Sequence, residues 1–155
     1  AKELTTLDHL SNGRLIVGIG LGGRIEQYHL FSAPPDHRVR FFMEFIGVLK
    51  SLWEQPYAHV EGSYWNLSGE QMKPKPIQTP HPPLWIGGIH PNVLRRSAKY
   101  GDGWMGNGNS STSQFRSQVK ILTQALDEEG RNLNDFQISK RIYIINMVGL
   151  VMLEN

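Results

Sequence analysis

A glycine pair and a predicted helix start give this sequence its clearest chemical feature. Gly87-Gly88 follows the short apolar run Leu84–Ile86, and Pro91 stands where a helix can begin, since its fixed φ suits the first helical position. A helix N-terminus presents unpaired N–H groups and a partial positive charge, which suit a phosphate. The pattern therefore predicts a phosphate-binding loop, and a simple tight turn between strand and helix remains the alternative.

A second glycine loop follows the next predicted strand. Trp104-Met105 is a short apolar run that ends at Gly106-Asn107-Gly108, and the predicted helix Pro91–Tyr100 lies between the two strands. Strand, loop, helix, strand and loop make a βαβ unit, in which both loops lie at the carboxyl ends of parallel strands. We therefore expect the two glycine loops on one face of the sheet.

A third glycine cluster, Gly18–Gly23, matches G-x-G-x-x-G by letter. A dinucleotide-binding loop needs a helix that opens inside the motif and an acidic residue at the end of the next strand. Here the following segment is short and runs into Pro34-Pro35, and Glu44 lies in a helical pattern. We therefore interpret these glycines as opening the end of a strand, Leu15–Ile19, onto a ligand or a neighbouring loop.

Strands near Leu15, Leu84, Trp104 and Ile142 alternate with helical patterns, which predicts an α/β fold with a parallel sheet. About four such strands form either an open doubly wound sheet or half of a (β/α)₈ barrel, and periodicity alone does not decide between them. The other predicted elements are a first helix over Lys2–Leu10, an amphipathic helix capped by Asp36, a hairpin with the loop Glu61-Gly62-Ser63, a helix with a Ser111/Gln114 capping box, and a last strand within Phe136–Asn146, most apolar over Ile142–Ile145.

Composition excludes several classes of function. The chain has 155 residues and a net charge of +2 without a basic run, which argues against a nucleic-acid partner. It has no cysteine, so disulfides and thiolate metal sites are excluded and a cytoplasmic location is expected. The histidines show no metal-ligand spacing, no stretch is apolar and long enough to cross a membrane, and no pattern identifies a catalytic residue.

Several motifs occur in an order that resembles a known family. They are Asp8–Leu15 followed by Gly18-Ile19-Gly20, then Gly62–Trp65, Lys73–Gln78, His81–Gly88 and Gly101–Trp104. Over roughly residues 4 to 108 the sequence resembles the luciferase-like monooxygenase family, and within it the deazaflavin-dependent oxidoreductases. The resemblance implies a (β/α)₈ barrel, FMN or F420 as cofactor, and hydride transfer to or from a small organic substrate.

The resemblance also implies which strands of the barrel this sequence contains. Residues 1–155 form a single partial domain that holds strands four to seven and lacks the first three strands and the last. In the family, the absent N-terminal part supplies a non-prolyl cis peptide and several side chains that contact the substrate. This piece is therefore expected to hold the phosphate end of the cofactor, and its two unpaired sheet edges are expected to favour self-association.

Eight cofactor-binding residues are carried over from the family, and they fall in three loops: Leu21 and Gly22; Gly87, Gly88, Ile89 and His90; Gly106 and Asn107. The first loop is implied to lie near the ring or its ribityl chain, the second to bind phosphate through its backbone with His90 capping the helix, and the third to touch the cofactor tail. Sugar-phosphate dehydrogenases of the family have a glutamate where this chain has Gly23, which argues against that activity.

Two readings from other classes stay open at this stage. One is a flavin-binding protein without turnover, since the binding loops could function without the catalytic half. The other is an α/β domain that binds a phosphate-bearing ligand unrelated to flavin, and it rests on the glycine loops alone.

Overall fold

A computed structural model describes residues 1–22, 28, 34 and 36–143 of the chain. It divides into two compact units, an N-terminal unit, Ala1–Trp85, and a C-terminal unit, Ile86–Asn155. The predicted positions Gly23, Ile144 and Ile145 lie outside the described residues.

The N-terminal unit contains two helices, a short strand, a hairpin and the first half of β4. These elements are α1 (Lys2–Leu10), β1 (Val17–Ile19), α2 (Arg38–Glu54), β2 (Ala58–Glu61), β3 (Asn66–Glu70) and β4 (Leu84–Gly87). The C-terminal unit contains the second half of β4, then α3 (Pro91–Tyr100), β5 (Gly103–Gly106), α4 (Thr112–Glu128), a 3₁₀ turn (Leu133–Asp135) and β6 (Gln137–Lys140).

The sheet has the strand order β1-β4-β5-β6. β5 and β6 pair in parallel, with Gly103 opposite Gln137 and Gly106 opposite Lys140. Strands that alternate with helices, with β5 and β6 parallel, confirm the predicted α/β fold, and β2 and β3 form the separate antiparallel hairpin.

The core of the N-terminal unit is built on α2. Its buried residues recur at helical spacing, which confirms the amphipathic pattern. The predicted cap is wrong. The helix begins at Arg38 after His37, which is left-handed at φ 62° and makes no side-chain capping bond. Because the chain turns through His37, Asp36 precedes the capping position instead of occupying it.

The core of the C-terminal unit lies between β5 and its two helices. Leu94 and Ala98 of α3 pack with Trp104 of β5 and with Leu122 and Leu126 of α4. The predicted capping box is confirmed, because Ser111 Oγ accepts from the Gln114 N–H at 3.2 Å and Gln114 Oε1 accepts from the Ser111 N–H at 2.8 Å.

The last described strand lies within the predicted range, Phe136–Asn146, but before its most apolar part. The outer strand of the described sheet is β6, Gln137–Lys140, and Ile142 follows it outside any strand. Phe136 and Ile138 pack on the C-terminal core, whereas Ile142 is 75% exposed. The described strand is therefore the part of this range that packs on the core, whereas the exposed Ile142 lies outside it.

Candidate functional site

The loop that joins β4 to α3 is fixed by an unusual glycine. Gly88 has φ 142°, and a Cβ atom built on it would lie 3.0 Å from Cγ1 of Val93. Its N–H donates to the Met105 carbonyl at 3.3 Å, and its own carbonyl accepts from the indole Nε1 of Trp104 at 2.7 Å. Only glycine fits this backbone conformation and this space without strain.

The start of α3 leaves two backbone donors without a partner. The N–H groups of Val93 and Leu94 donate to the His90 carbonyl at 2.8 and 3.2 Å, and Pro91 has no N–H. Among the described residues, the N–H groups of Ile89 and His90 have no hydrogen-bond acceptor. The available donors at this helix end therefore belong to Ile89 and His90, since the Gly88 N–H is used by Met105.

His90 takes the capping position that the family resemblance predicts for it. Its Nδ1 accepts from the Asn92 N–H at 3.2 Å. With Nδ1 acting as an acceptor, the neutral ring carries its hydrogen on Nε2. The exposed ring thus adds a side-chain donor to the two backbone donors of the loop.

The loop after β5 lies at the same edge of the sheet in the C-terminal unit. Asn107 shapes this loop, because its Oδ1 accepts from the Asn109 N–H at 3.1 Å and its carbonyl accepts from the Ser110 N–H at 3.4 Å. A Cβ atom on Gly106 would lie 2.7 Å from Cε2 of Phe115. The Gly88–Met105 hydrogen bond places the β4 loop beside the end of β5, so the structure brings these two predicted loops together.

Two cations follow at the end of β6. Lys140 pairs with Gly106 across the parallel strands, and its Nζ lies 5.3 Å from the centre of the Phe115 ring. A hydrogen bond from Arg141 to the Tyr143 hydroxyl, at 3.5 Å, raises the pKa of Arg141 above its ordinary value. Neither glycine loop contains an acidic residue. The electrostatics of this edge therefore favour an anion.

The loop after β1 lines a cavity within the N-terminal unit. The cavity has a volume of about 410 Å³, which is in the range of small-molecule sites. The Leu21 carbonyl accepts from the Tyr28 hydroxyl, and Gly22 is left-handed at φ 73°. The other lining residues are Gly18, Ile19, Gly20, Arg38, Phe41, Phe42 and Phe45. Of the residues carried over from the family, Leu21 thus faces a largely aromatic cavity.

The described residues contain neither a candidate metal site nor a candidate membrane span. Within the described ranges, no three His, Cys, Asp or Glu residues are grouped so that they could hold a metal ion. Across that part of the chain, no helix is long and apolar enough to cross a membrane.

Sequence reasoning missed the contact between Trp104 and Gly88. Trp104 was identified only as a strand residue and as part of the Gly101–Trp104 motif. Nothing local indicates that its indole reaches a carbonyl 16 residues earlier. Lys140 and Arg141 were also missed, because no local signal in the sequence places them beside the loop after β5.

Comparisons with known proteins agree on one family. A family model described as luciferase-like monooxygenase matches residues 1–146. The FMNH(2)-dependent dimethylsulfone monooxygenase of Pseudomonas putida is 32% identical over 113 residues, which cover 71% of this chain and 31% of that protein. The F420-dependent glucose-6-phosphate dehydrogenase of Kineococcus radiotolerans is 28% identical over 147 residues, which cover 93% of this chain and 42% of that protein.

Solved structures show the same fold. Monooxygenase RslO1 from Streptomyces bottropensis superposes with a TM-score of 0.80 at 23% identity, over 96% of this chain and 46% of that one. An F420-dependent secondary alcohol dehydrogenase in complex with an F420-acetone adduct superposes with a TM-score of 0.77 at 22% identity. The match covers 90% of this chain and 42% of that one. The chain thus spans less than half the length of each of these four proteins.

Proposed function

Because the chain belongs to the luciferase-like monooxygenase family, we propose that it is the part of a flavin- or F420-dependent oxidoreductase that holds the phosphate end of the cofactor. It supplies strands four to seven of a (β/α)₈ barrel, and the first three strands and the last lie outside it. The whole enzyme transfers a hydride to or from a small organic substrate.

The observation that carries this proposal is the pair of unpartnered N–H groups on Ile89 and His90 at the start of α3. A helix of ten residues follows them, and its dipole adds partial positive charge at the same place. Two adjacent amide donors next to a glycine with little space for a side chain match the needs of a phosphate oxygen.

The names of the relatives support FMN or F420 as the cofactor, since one is FMNH(2)-dependent and two are F420-dependent. Both cofactors carry a phosphate ester. When bound, the flavin or deazaflavin ring supplies the centre that accepts or donates the hydride. The residues of this chain fit such a group, because both loops offer donors and lack carboxylates.

Each residue of the phosphate loop has a distinct role. Gly88 lets the backbone turn tightly, Ile89 and His90 donate their N–H groups to phosphate oxygens, and the His90 ring both caps α3 and offers Nε2–H. Asn107 would contact the tail of the cofactor, and Lys140 and Arg141 would add positive potential. In the N-terminal unit, the aromatic cavity beside Leu21 suits an apolar, planar group.

Titration of the full-length protein with FMN and with F420, followed by fluorescence, tests the proposal. We expect one of them to bind, and its counterpart without phosphate to bind at least about tenfold more weakly, because hydrogen bonds to a charged group are lost. The counterparts are riboflavin for FMN and the 8-hydroxy-5-deazariboflavin chromophore for F420. Equal affinity for both members of the pair would place the phosphate elsewhere, and binding of neither cofactor would favour a different phosphate-bearing ligand.

A further inference from the structure

The indole of Trp104 holds the peptide group that carries one of the two free donors. Its Nε1 donates to the Gly88 carbonyl at 2.7 Å, and this carbonyl belongs to the same peptide group as the N–H of Ile89. Trp104 is 0% exposed, so its hydrogen bond is shielded from competing water.

Core packing fixes the position of this indole. Trp104 packs with Leu94 and Ala98 of α3, and its ring stacks on Phe115 with 5.3 Å between ring centres and an interplanar angle of 17°. A ring enclosed on these sides cannot leave its rotamer without disturbing the core. The direction of its N–H is therefore a property of the folded C-terminal unit.

The geometry of the peptide group transmits this direction to Ile89. Cis peptide bonds among the described residues precede Pro74 and Pro80, so the Gly88–Ile89 bond is trans. In a trans peptide the C=O and N–H point in opposite directions. Since the Gly88 carbonyl points toward the indole, the Ile89 N–H points away from it, where no described residue accepts its hydrogen.

We propose that Trp104 is a positioning residue that aims the Ile89 N–H at the cofactor phosphate and thereby sets the preference for a phosphorylated over a dephosphorylated cofactor. This inference rests on the proposed function of the loop. Glycine tolerates many backbone conformations, so without the indole the Gly88–Ile89 peptide is free to rotate. A donor that is already oriented binds more tightly, because no ordering cost is incurred on binding.

The test is Trp104→Phe in the full-length protein, which keeps an aromatic ring against Phe115 and removes the N–H donor. We expect the affinity for FMN or F420, whichever binds, to fall about tenfold, while the affinity for its dephosphorylated counterpart changes less than about twofold. Leu126→Val is the matched control, because it disturbs the same core and keeps both the indole N–H and its stacking on Phe115. It should lower the unfolding temperature and leave the ratio of the two affinities unchanged.

A wild-type protein that binds both members of the pair equally would overturn the proposed function and, with it, this inference. A wild-type preference for phosphate that persists in folded Trp104→Phe would overturn this inference alone. Should Trp104→Phe fail to fold, NMR of the ¹⁵N-isoleucine-labelled wild-type protein decides, with the Ile89 amide assigned from Ile89→Val. The Ile89 amide signal should shift on adding the phosphorylated cofactor and not its counterpart, and an unmoved signal would overturn the inference.

Discussion

Asp8 and Gln78 are joined by two hydrogen bonds, from the Gln78 N–H to Oδ2 at 3.1 Å and from Nε2 to Oδ1 at 2.7 Å. The Ile77 N–H adds a third at 2.8 Å, and the Asp8 side chain is fully buried. The carboxylate at the end of α1 is thus the acceptor for three donors of the proline-rich connector. This explains in physical terms why the motif that begins at Asp8 accompanies the motif that ends at Gln78.

Asp8→Asn should destabilise the protein in a pH-dependent way. Burial raises the pKa of Asp8, but the hydrogen bonds from Gln78 and Ile77 together lower it by more, so the pKa lies below its ordinary value. The stabilisation is therefore fully present above the unfolded-state pKa, about 3.9, and is lost as the pH falls through the folded-state pKa. At pH 7 we expect a loss of about 2 kcal/mol in the free energy of unfolding.

Urea denaturation at a series of pH values measures this effect. The difference in the free energy of unfolding between wild type and Asp8→Asn should shrink below about pH 4. Asp127→Asn, at an exposed position of α4, is the control, and it should alter the free energy of unfolding little at any pH. A gap that stays constant down to pH 3 would show that the carboxylate charge is not what holds the connector.

Arg131 should stabilise the end of α3. Its guanidinium donates to the carbonyls of Ala98 and Gly101 at 2.6 and 2.7 Å, and it lies over the Phe136 ring. Carbonyls at a helix C-terminus carry partial negative charge, so a cation there is favourable. We expect Arg131→Ala to cost about 2 kcal/mol in the free energy of unfolding, and Arg131→Lys to cost part of that, since an ammonium lacks the planar guanidinium that lies over the Phe136 ring.

Arg95→Ala is the control for Arg131, because Arg95 is exposed on α3 and its side chain donates a long hydrogen bond to Asn92 Oδ1, at 3.4 Å. Denaturant unfolding should show a change of less than about 0.5 kcal/mol for this variant. If Arg131→Lys is as stable as wild type, a cation alone suffices and the planar guanidinium contributes nothing.

Gly62 and Glu44 should behave as a coupled pair. Glu44 Oε2 accepts from the Tyr64 N–H at 2.8 Å and holds the hairpin loop against α2. A Cβ atom on Gly62 would overlap the Glu44 carboxylate, so Gly62→Ala should destabilise the protein. In a Glu44→Ala background the overlap with the carboxylate is gone and only the Trp65 carbonyl, at 3.1 Å, stays close, so the penalty of Gly62→Ala should be smaller. Strictly additive effects in this double-mutant cycle, measured by chemical denaturation, would refute the coupling.

Local signals were sufficient for much of the fold. Pro91 at the start of α3 and the Ser111/Gln114 box at the start of α4 were predicted from side chains that act within one helical turn, and both are confirmed. The hairpin loop was placed wrongly at Glu61-Gly62-Ser63, whereas the strands leave Gly62–Trp65 as the loop. There the aromatic rings of Tyr64 and Trp65 pack on Phe41 of α2, and this long-range contact is invisible in the hairpin sequence.

The candidate site likewise has some features that local sequence predicts and others that depend on long-range contacts. The positions of Gly87-Gly88 and of the helix start at Pro91 follow from local sequence, because glycine and proline have fixed positional meanings, whereas the His90 cap was expected only from the family resemblance. Local sequence does not predict which N–H groups of the loop remain free. The Gly88 donor is used by Met105 and the Ile89 donor is oriented through Trp104, and both contacts depend on how β5 lies beside β4.

The central claim is that the loop before α3 binds a cofactor phosphate, and a charge placed at Ile89 tests it most directly. Gly88 is unsuitable for this purpose, because φ 142° and the nearby Val93 would strain any side chain. Ile89 is 47% exposed, so Ile89→Glu and Ile89→Gln differ mainly in charge. A carboxylate beside the two free donors repels the phosphate, by about 4 kcal/mol at 4 Å before screening.

The measurement is the dissociation constant of FMN or F420, whichever binds, for wild type, Ile89→Gln and Ile89→Glu, with circular dichroism to confirm folding. After allowance for salt screening at an exposed position, we predict that Ile89→Glu weakens binding by at least about tenfold relative to Ile89→Gln. The two variants should bind the dephosphorylated counterpart equally. Equal affinity of Ile89→Glu and Ile89→Gln for the phosphorylated cofactor would contradict the claim that its phosphate lies at this helix end.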